Sequence, residues 1–161
     1  MTATYEAIAT TTLGSAQSSV TFSSISGSYT DLVGIVVGQS SASGNLLVEL
    51  NSDTGSNYSA TILFGDGTSA DSARTTNATS INIGDIDQNA ISNNIVNFQN
   101  YSNATTYKTL LGRGNRQPTS VVAKVGLWRS TSAITTIKFS LSGGATFNSG
   151  STFTLYGIKA A

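Results

Sequence analysis

Cysteine and histidine are both absent from the 161 residues. Without cysteine there is no disulfide framework and no thiol nucleophile, and the redox compartment cannot be read. Without histidine the usual zinc ligand, the commonest general base and every Ser-His-Asp arrangement are gone. Charge is scarce as well, at 10% of residues, with eight acids balancing eight bases. Any catalysis would fall to those sixteen side chains, and neither Glu6 nor Glu49 has a local carboxylate partner. No apolar run approaches the roughly 20 residues of a membrane-spanning helix. The start, "MTATYEAIATTTLG", lacks a basic segment followed by a long apolar one. The expectation is a protein made in a cytoplasm that stays there or leaves as part of something larger.

What fills the chain instead is small and polar. Serine and threonine supply 48 residues, with 13 asparagines and 16 glycines beside them. Such a composition can belong to a disordered linker. Here the apolar residues come in spaced runs of period two, which points to threonine-rich strands joined by Ser/Gly/Asn turns. The runs fall at 4–10, 19–25, 29–38, 45–51, 58–65, 79–85, 94–101, 105–112, 121–130, 135–142 and 151–159. No window repeats apolar residues at helical spacing. The length suits one domain over 1–161, large enough to bury roughly 70% of the unfolded chain's surface. Spacing near ten residues predicts an all-β, two-sheet antiparallel sandwich, jelly-roll-like, of about eight to ten strands.

Parity assigns faces to these runs. In 121–128, Val121, Ala123, Val125 and Leu127 form an apolar stripe that reads as the core face. Val122, Lys124, Gly126 and Trp128 then fall on an outer surface that meets something, unless Trp128 caps one end of the core. In the closing run "STFTLYGIKAA", Phe153 and Leu155 are expected inside, with Tyr156 and Ile158 on the other face. "DLVGIVVG" is apolar on both faces and reads as a central strand; Gly34 and Gly38 in it suggest a bulge or a close backbone approach. "FGDGTS" reads as a hairpin turn. The longest loops are expected at 84–94 and 112–120, with Pro118, the only proline, fixing the way into the next strand.

Charge order is lopsided. Residues 1–87 hold all eight acids and only Arg74 as a base; residues 88–161 hold seven bases and no acid. This means either intramolecular cross-pairing or complementarity with a neighbour. A neutral chain makes a general nucleic-acid binder a poor fit. "NSDTGSN" at 51–57 resembles the start of a calcium loop, but Ile62 stands where the closing glutamate belongs, so a polar turn is the better reading. Asp85 and Asp87 of "DID" read as an exposed loop end rather than a cation site. "GRGNR" lacks phosphate-loop spacing. Arg113 and Arg116 on it suit a carboxylate-bearing partner, if they are not simply solvated. Sequons at Asn57, Asn77, Asn100 and Asn103 are expected by chance in a chain this rich in Asn, Ser and Thr.

Several stretches together resemble a family: "YTDLVGIVVG", "LLVELNSDTGSNYSATILFGDG", "NFQNYSNATTYKTLLGRGN", "VGLWRSTSAITTIKFSLSGG" and "FNSGSTFTLYGIKA". They are similar to small β-sandwich virion proteins of tailed bacteriophages, with a Leu-Trp-Arg-Ser-Thr segment and a closing Phe-Thr-Leu-Tyr-Gly-Ile strand. The likeness covers about residues 3–159. It implies a structural virion protein without catalytic residues, cofactor or metal. The expected role is a capsid decoration (cement) protein on the outer head surface, as a homotrimer against the major capsid protein. A strand within a few residues of Met1 suits that role better than a fibre shaft. The alternative is a tail-fibre or receptor- and glycan-binding module. An enzyme such as a glycan hydrolase is the third reading, and it needs a carboxylate pair in a cleft. Trp128, Arg129, Tyr156, Ile158, Arg113 and Arg116 are the expected partner contacts, since aromatic residues and arginine are enriched at interfaces.

Overall fold

The computed structural model describes residues 4–116 and 120–159, with Arg116 described in its backbone only. Twelve strands make up its regular structure: β1 Tyr5–Thr12, β2 Ser19–Phe22, β3 Asp31–Gly38, β4 Gly44–Leu50, β5 Tyr58–Gly65 and β6 Ala70–Ala78, followed by β7 Ile81–Ile86, β8 Ser92–Phe98, β9 Lys108–Arg116, β10 Ser120–Trp128, β11 Ile137–Leu141 and β12 Thr152–Ile158. They form two antiparallel sheets, ordered β1-β12-β3-β8-β9-β10-β5-β6 and β2-β11-β4-β7. The chain is therefore an all-β, jelly-roll-like sandwich, with more strands than the eight to ten expected.

Each expected run becomes a strand, because apolar alternation is what a half-buried pleated ribbon requires. The addition is β6, "ADSARTTNA", whose residues are exposed along almost its whole length. It has no apolar alternation to betray it and forms by pairing with β5 across the "FGDGTS" turn. In that turn Asp66 Oδ1 accepts the amides of Thr68 and Ser69, at 2.9 and 2.7 Å, and Gly67 takes φ +88°. The two long loops expected at 84–94 and 112–120 are mostly strand: β8 begins at Ser92 and β9 runs to Arg116. Pro118 lies outside the described residues.

The core lies where the two sheets face each other. Leu46, Val48 and Leu50 of β4, Ile81 and Ile83 of β7, Phe139 of β11, and Phe153 and Leu155 of β12 are all fully or almost fully buried. Phe153 packs edge-on against Phe147 at 4.8 Å and tilted against Phe139 at 6.0 Å. The expected inward placement of Phe153 and Leu155 is thus observed. β3 is central as read, between β12 and β8. Its Gly34 lets Phe139 close down: a Cβ there would stand 3.2 Å from the Phe139 ring and 3.0 Å from Val96.

Candidate binding cleft and outer face

Strand β10 is turned the other way from the parity reading. Val122, Lys124, Gly126 and Trp128 point inward and are buried, while Val121, Ala123 and Val125 face solvent. The reason is β7, which packs against β9 and β10 at close range. A Cβ on Gly126 would lie 2.4 Å from Ile81, and one on Gly112 only 2.1 Å from the Ile83 carbonyl. The glycines of "GRGNR" face this crowded interior, and Arg113 between them points out. A face with room only for glycine beside a long, thin lysine is the one that can approach so closely.

Lys124 is 2% exposed. Its ammonium donates to Asn82 Oδ1 at 2.7 Å, Gly84 O at 3.0 Å and Asp85 Oδ1 at 2.7 Å, which uses all three N–H donors. Burial pushes its pKa down, against the opposing pull of Asp85. "DID" is accordingly no exposed loop end. Asp85 belongs to β7, and Asp87 is buried, accepting from the Ser43 hydroxyl and the Asn89 amide.

Trp128 is 2% exposed and stacks on Tyr58 with 6.3 Å between ring centroids. Its Nε1 donates to Asp53 Oδ2 at 2.7 Å. The expectation that Trp128 meets a partner is therefore corrected: the ring completes the core of its own subunit. Asp53 also accepts from the Gly55 amide and from Asn57 Nδ2. The indole bond first, then those from Asn57 and Gly55, holds its carboxyl below the usual range. "NSDTGSN" is thus a polar turn, and among the described residues no cluster of three metal-type ligands occurs.

The remaining expected contacts do not form one patch. Half-buried Arg129 reaches Asn77 Oδ1 at 2.9 Å. Half-buried Tyr156 meets Tyr5 edge-on at 6.4 Å, and Ile158 lies beside it on the outward face of β12. Strands β3, β8 and β9 separate β12 from β10. Arg113 is exposed on β9, opposite Ala123, and the side chain of Arg116 lies outside the described residues. The lopsided charge order resolves within the subunit for three of the seven late bases. Lys124–Asp85, Lys138–Glu49 and Lys159–Glu6 each join a late base to an early acid.

Two surfaces remain that sequence reasoning missed. The smaller sheet ends at β7, so β6 and the far end of β5 overhang it. Beneath the overhang is a cleft of about 340 Å³. Ile62, Phe64 and Val122 give it an apolar floor, and Asn45, Asn82 and Asp85 a polar wall. Asp66 stands at its rim, and its carboxyl is held far below the usual range by the Ser69 and Thr68 amides. The sequence marks only the hairpin turn at its rim, "FGDGTS".

The second surface is the outer face of the larger sheet. Register places Leu111, Val125 and Thr61 in one row across β9, β10 and β5, and Arg113, Ala123 and Leu63 in the next. Val121 follows beside Gly65, which pairs in turn with Ala70 of β6.

No family model matches this chain, and no curated protein matches it. Among solved structures it is similar to the galectin LEC-6 of Caenorhabditis elegans, at 14% identity and a TM-score of 0.40, over 87% of this chain and 92% of that one. It is also similar to the alginate lyase Aly36B, at 10% identity and a TM-score of 0.38, over 92% and 77% of the two chains. A doubly substituted mutant of that lyase, in complex with an alginate tetrasaccharide, gives 11% identity and a TM-score of 0.34, over 81% and 68%. At such identities no residue role and no activity carries over to this chain.

Proposed function

We propose that the chain is a non-enzymatic recognition module of a virion, of the receptor- and glycan-binding kind, and that the cleft under the β5–β6 overhang takes a neutral saccharide. The observation that carries this reading is the pairing of the Phe64/Ile62 floor with the Asn45, Asn82 and Asp85 wall. A sugar has an apolar C–H face and a rim of hydroxyls, and it needs both kinds of surface in one site. Two carboxylates, Asp66 and Asp85, line the cleft. Both accept hydrogen bonds from hydroxyls; Lys124 also lines the cleft and neutralises Asp85, so it is Asp66 that disfavours an acidic sugar. The two carboxylates also argue against hydrolysis, because neither is placed to give a leaving group its proton: Asp85 is paired with Lys124, and Asp66 stays ionised well below neutral pH.

The test is a glycan array probed with the whole chain, followed by calorimetry on the best neutral oligosaccharide. Binding is expected, with loss of roughly tenfold or more in Phe64→Ala and Asn82→Ala, the size of a lost central contact. An array without neutral-sugar binders, or binding indifferent to both substitutions, rejects the reading.

A second reading, shell decoration, is favoured by the apolar outer face of β10. There the chain, as a trimer on the outer capsid surface, would bury area against the major capsid protein. Copy number separates the two: hundreds per virion support decoration, a handful per virion the recognition module.

A further inference from the structure

Strand β10 is built inside out. Its buried side carries a lysine and a glycine, and its solvent side carries Val121, Ala123 and Val125. Val121 is 64% exposed, Leu63 57% and Val125 52%, and Leu111 is exposed beside them. Register makes the four contiguous across β9, β10 and β5. Single exposed apolar residues are ordinary, but a contiguous group on a rigid sheet marks an interaction surface.

The patch has relief as well as polarity. Gly65 and Ala70 contribute almost no side chain at its end, which leaves a hollow of about 480 Å³ between Leu63, Val121 and Ala123. The charges on its outward positions have one sign. Arg113 stands in the row of Ala123 and Leu63, and Arg74 lies opposite Thr61 on β6. Among the described residues, the outward positions of β9, β10, β5 and β6 carry no acid. Asp71 borders the hollow, but it alternates with its register partner Phe64 toward the cleft side.

We propose that this face docks a partner protein that inserts an aromatic or aliphatic side chain into the hollow and sets carboxylates against Arg113 and Arg74. Charge complementarity selects that occupant over a second copy of the chain. Two copies stacked face to face would bring Arg113 and Arg74 toward the same cations without an intervening acid, and like charges at an interface are costly. The hollow takes the central apolar anchor on which interfaces depend, and the arginines supply bidentate grips at its border. The hollow opens on the outer face and meets the saccharide cleft at Phe64 and Val122, which line both, so the positions that test it, Leu63, Val121 and Arg113, lie outside the cleft lining.

The test uses the whole chain and a displayed library of random peptides, with sedimentation velocity run in parallel. Wild-type protein is expected to enrich peptides that combine an aromatic or aliphatic residue with Asp or Glu. Val121→Ser with Leu63→Ser is expected to weaken the enriched peptides by roughly tenfold or more, as for loss of an anchor pocket. Arg113→Glu is expected to remove the acidic residues from a newly selected pool. All of these positions face solvent, so thermal unfolding is expected to match wild type and to separate lost binding from lost folding. Absence of enrichment overturns the proposal, as do peptides that bind the serine variant equally well. Self-association that Val125→Glu abolishes overturns it in favour of a second copy.

Discussion

The ammonium of Lys124 on β10 lies 2.7 Å from Asp85 Oδ1 on β7, so one ion pair ties the larger sheet to the smaller. The residue is almost wholly enclosed, and the pair also spans the early-acid and late-base halves of the chain. Removing one member strands the other in a poorly solvated place. Lys124→Met is therefore expected to cost about 3–5 kcal/mol in urea unfolding. Lys138→Met, which breaks a more exposed pair with Glu49, is expected to cost at most about 1 kcal/mol. Equal losses would mean that the buried pair carries no special weight.

Trp128 is expected to behave as a core residue. Trp128→Ala removes a ring stacked on Tyr58 and a bond to Asp53, and should cost about 3–5 kcal/mol. Tyr156→Ala loses a half-exposed contact with Tyr5 and should cost about 0.5–1.5 kcal/mol. Chemical denaturation of both variants checks this; a Trp128→Ala protein as stable as wild type contradicts the burial.

Asn94 lies between two glycines. A Cβ on Gly84 would fall 2.0 Å from its Oδ1 and one on Gly114 2.1 Å, while its Nδ2 donates to the Asp85 carbonyl at 2.8 Å. Among the described residues Oδ1 has no N–H or O–H partner, and it faces the two glycine α-carbons, an arrangement suited to weak C–H···O contacts. Gly114→Ala should cost about 1–3 kcal/mol by overpacking. Gly14→Ala, where nothing lies within 4 Å, should change little. A double-mutant cycle with Asn94→Ala should show coupling between positions 94 and 114.

Acid should unfold the protein through three carboxyls. Those of Asp66, Asp53 and Glu6 lie below their ordinary values of 3.8, 3.8 and 4.5. The causes are the Ser69 and Thr68 amides, the Trp128 indole, and the Lys159 and Tyr29 side chains respectively. In acid the unfolded chain takes up these protons first, so it binds more than the folded chain and stability rises with pH there. The contribution is complete above about pH 5 and is lost as pH falls through the folded values. Urea midpoints should hold from about pH 7 to 5 and then decline; a flat profile to about pH 3 would refute the assignment.

Much of the fold was legible because alternation is a local property. A run such as "TTIKFSLS" shows its period without reference to the rest of the chain, and the Asp-Gly turn shows its bend. Strand β6 was hidden because an exposed edge has no buried face to write a pattern. Strands β8 and β9 were read out of place, at 94–101 and 105–112 instead of 92–98 and 108–116, for a related reason: Asn93 and the later residues of "GRGNR" look like loop residues until a neighbouring sheet needs small or polar groups there. The cleft was illegible because its floor and wall come from β5, β10, β4 and β7, far apart in sequence.

By itself the sequence determined an all-β chain without thiol or imidazole chemistry, with every strand but β6 marked by its own run and with Phe153 and Leu155 committed to the core. Only the tertiary structure decided which side of β10 is the inside. Alternation defines two faces but does not label them, and the richer apolar face is normally the buried one. Here β7 approaches so closely that glycine and a paired lysine fit beneath it, and the valines are left for the surface. The same approach brings Lys124 of the base-rich half against Asp85 of the acid-rich half within one subunit.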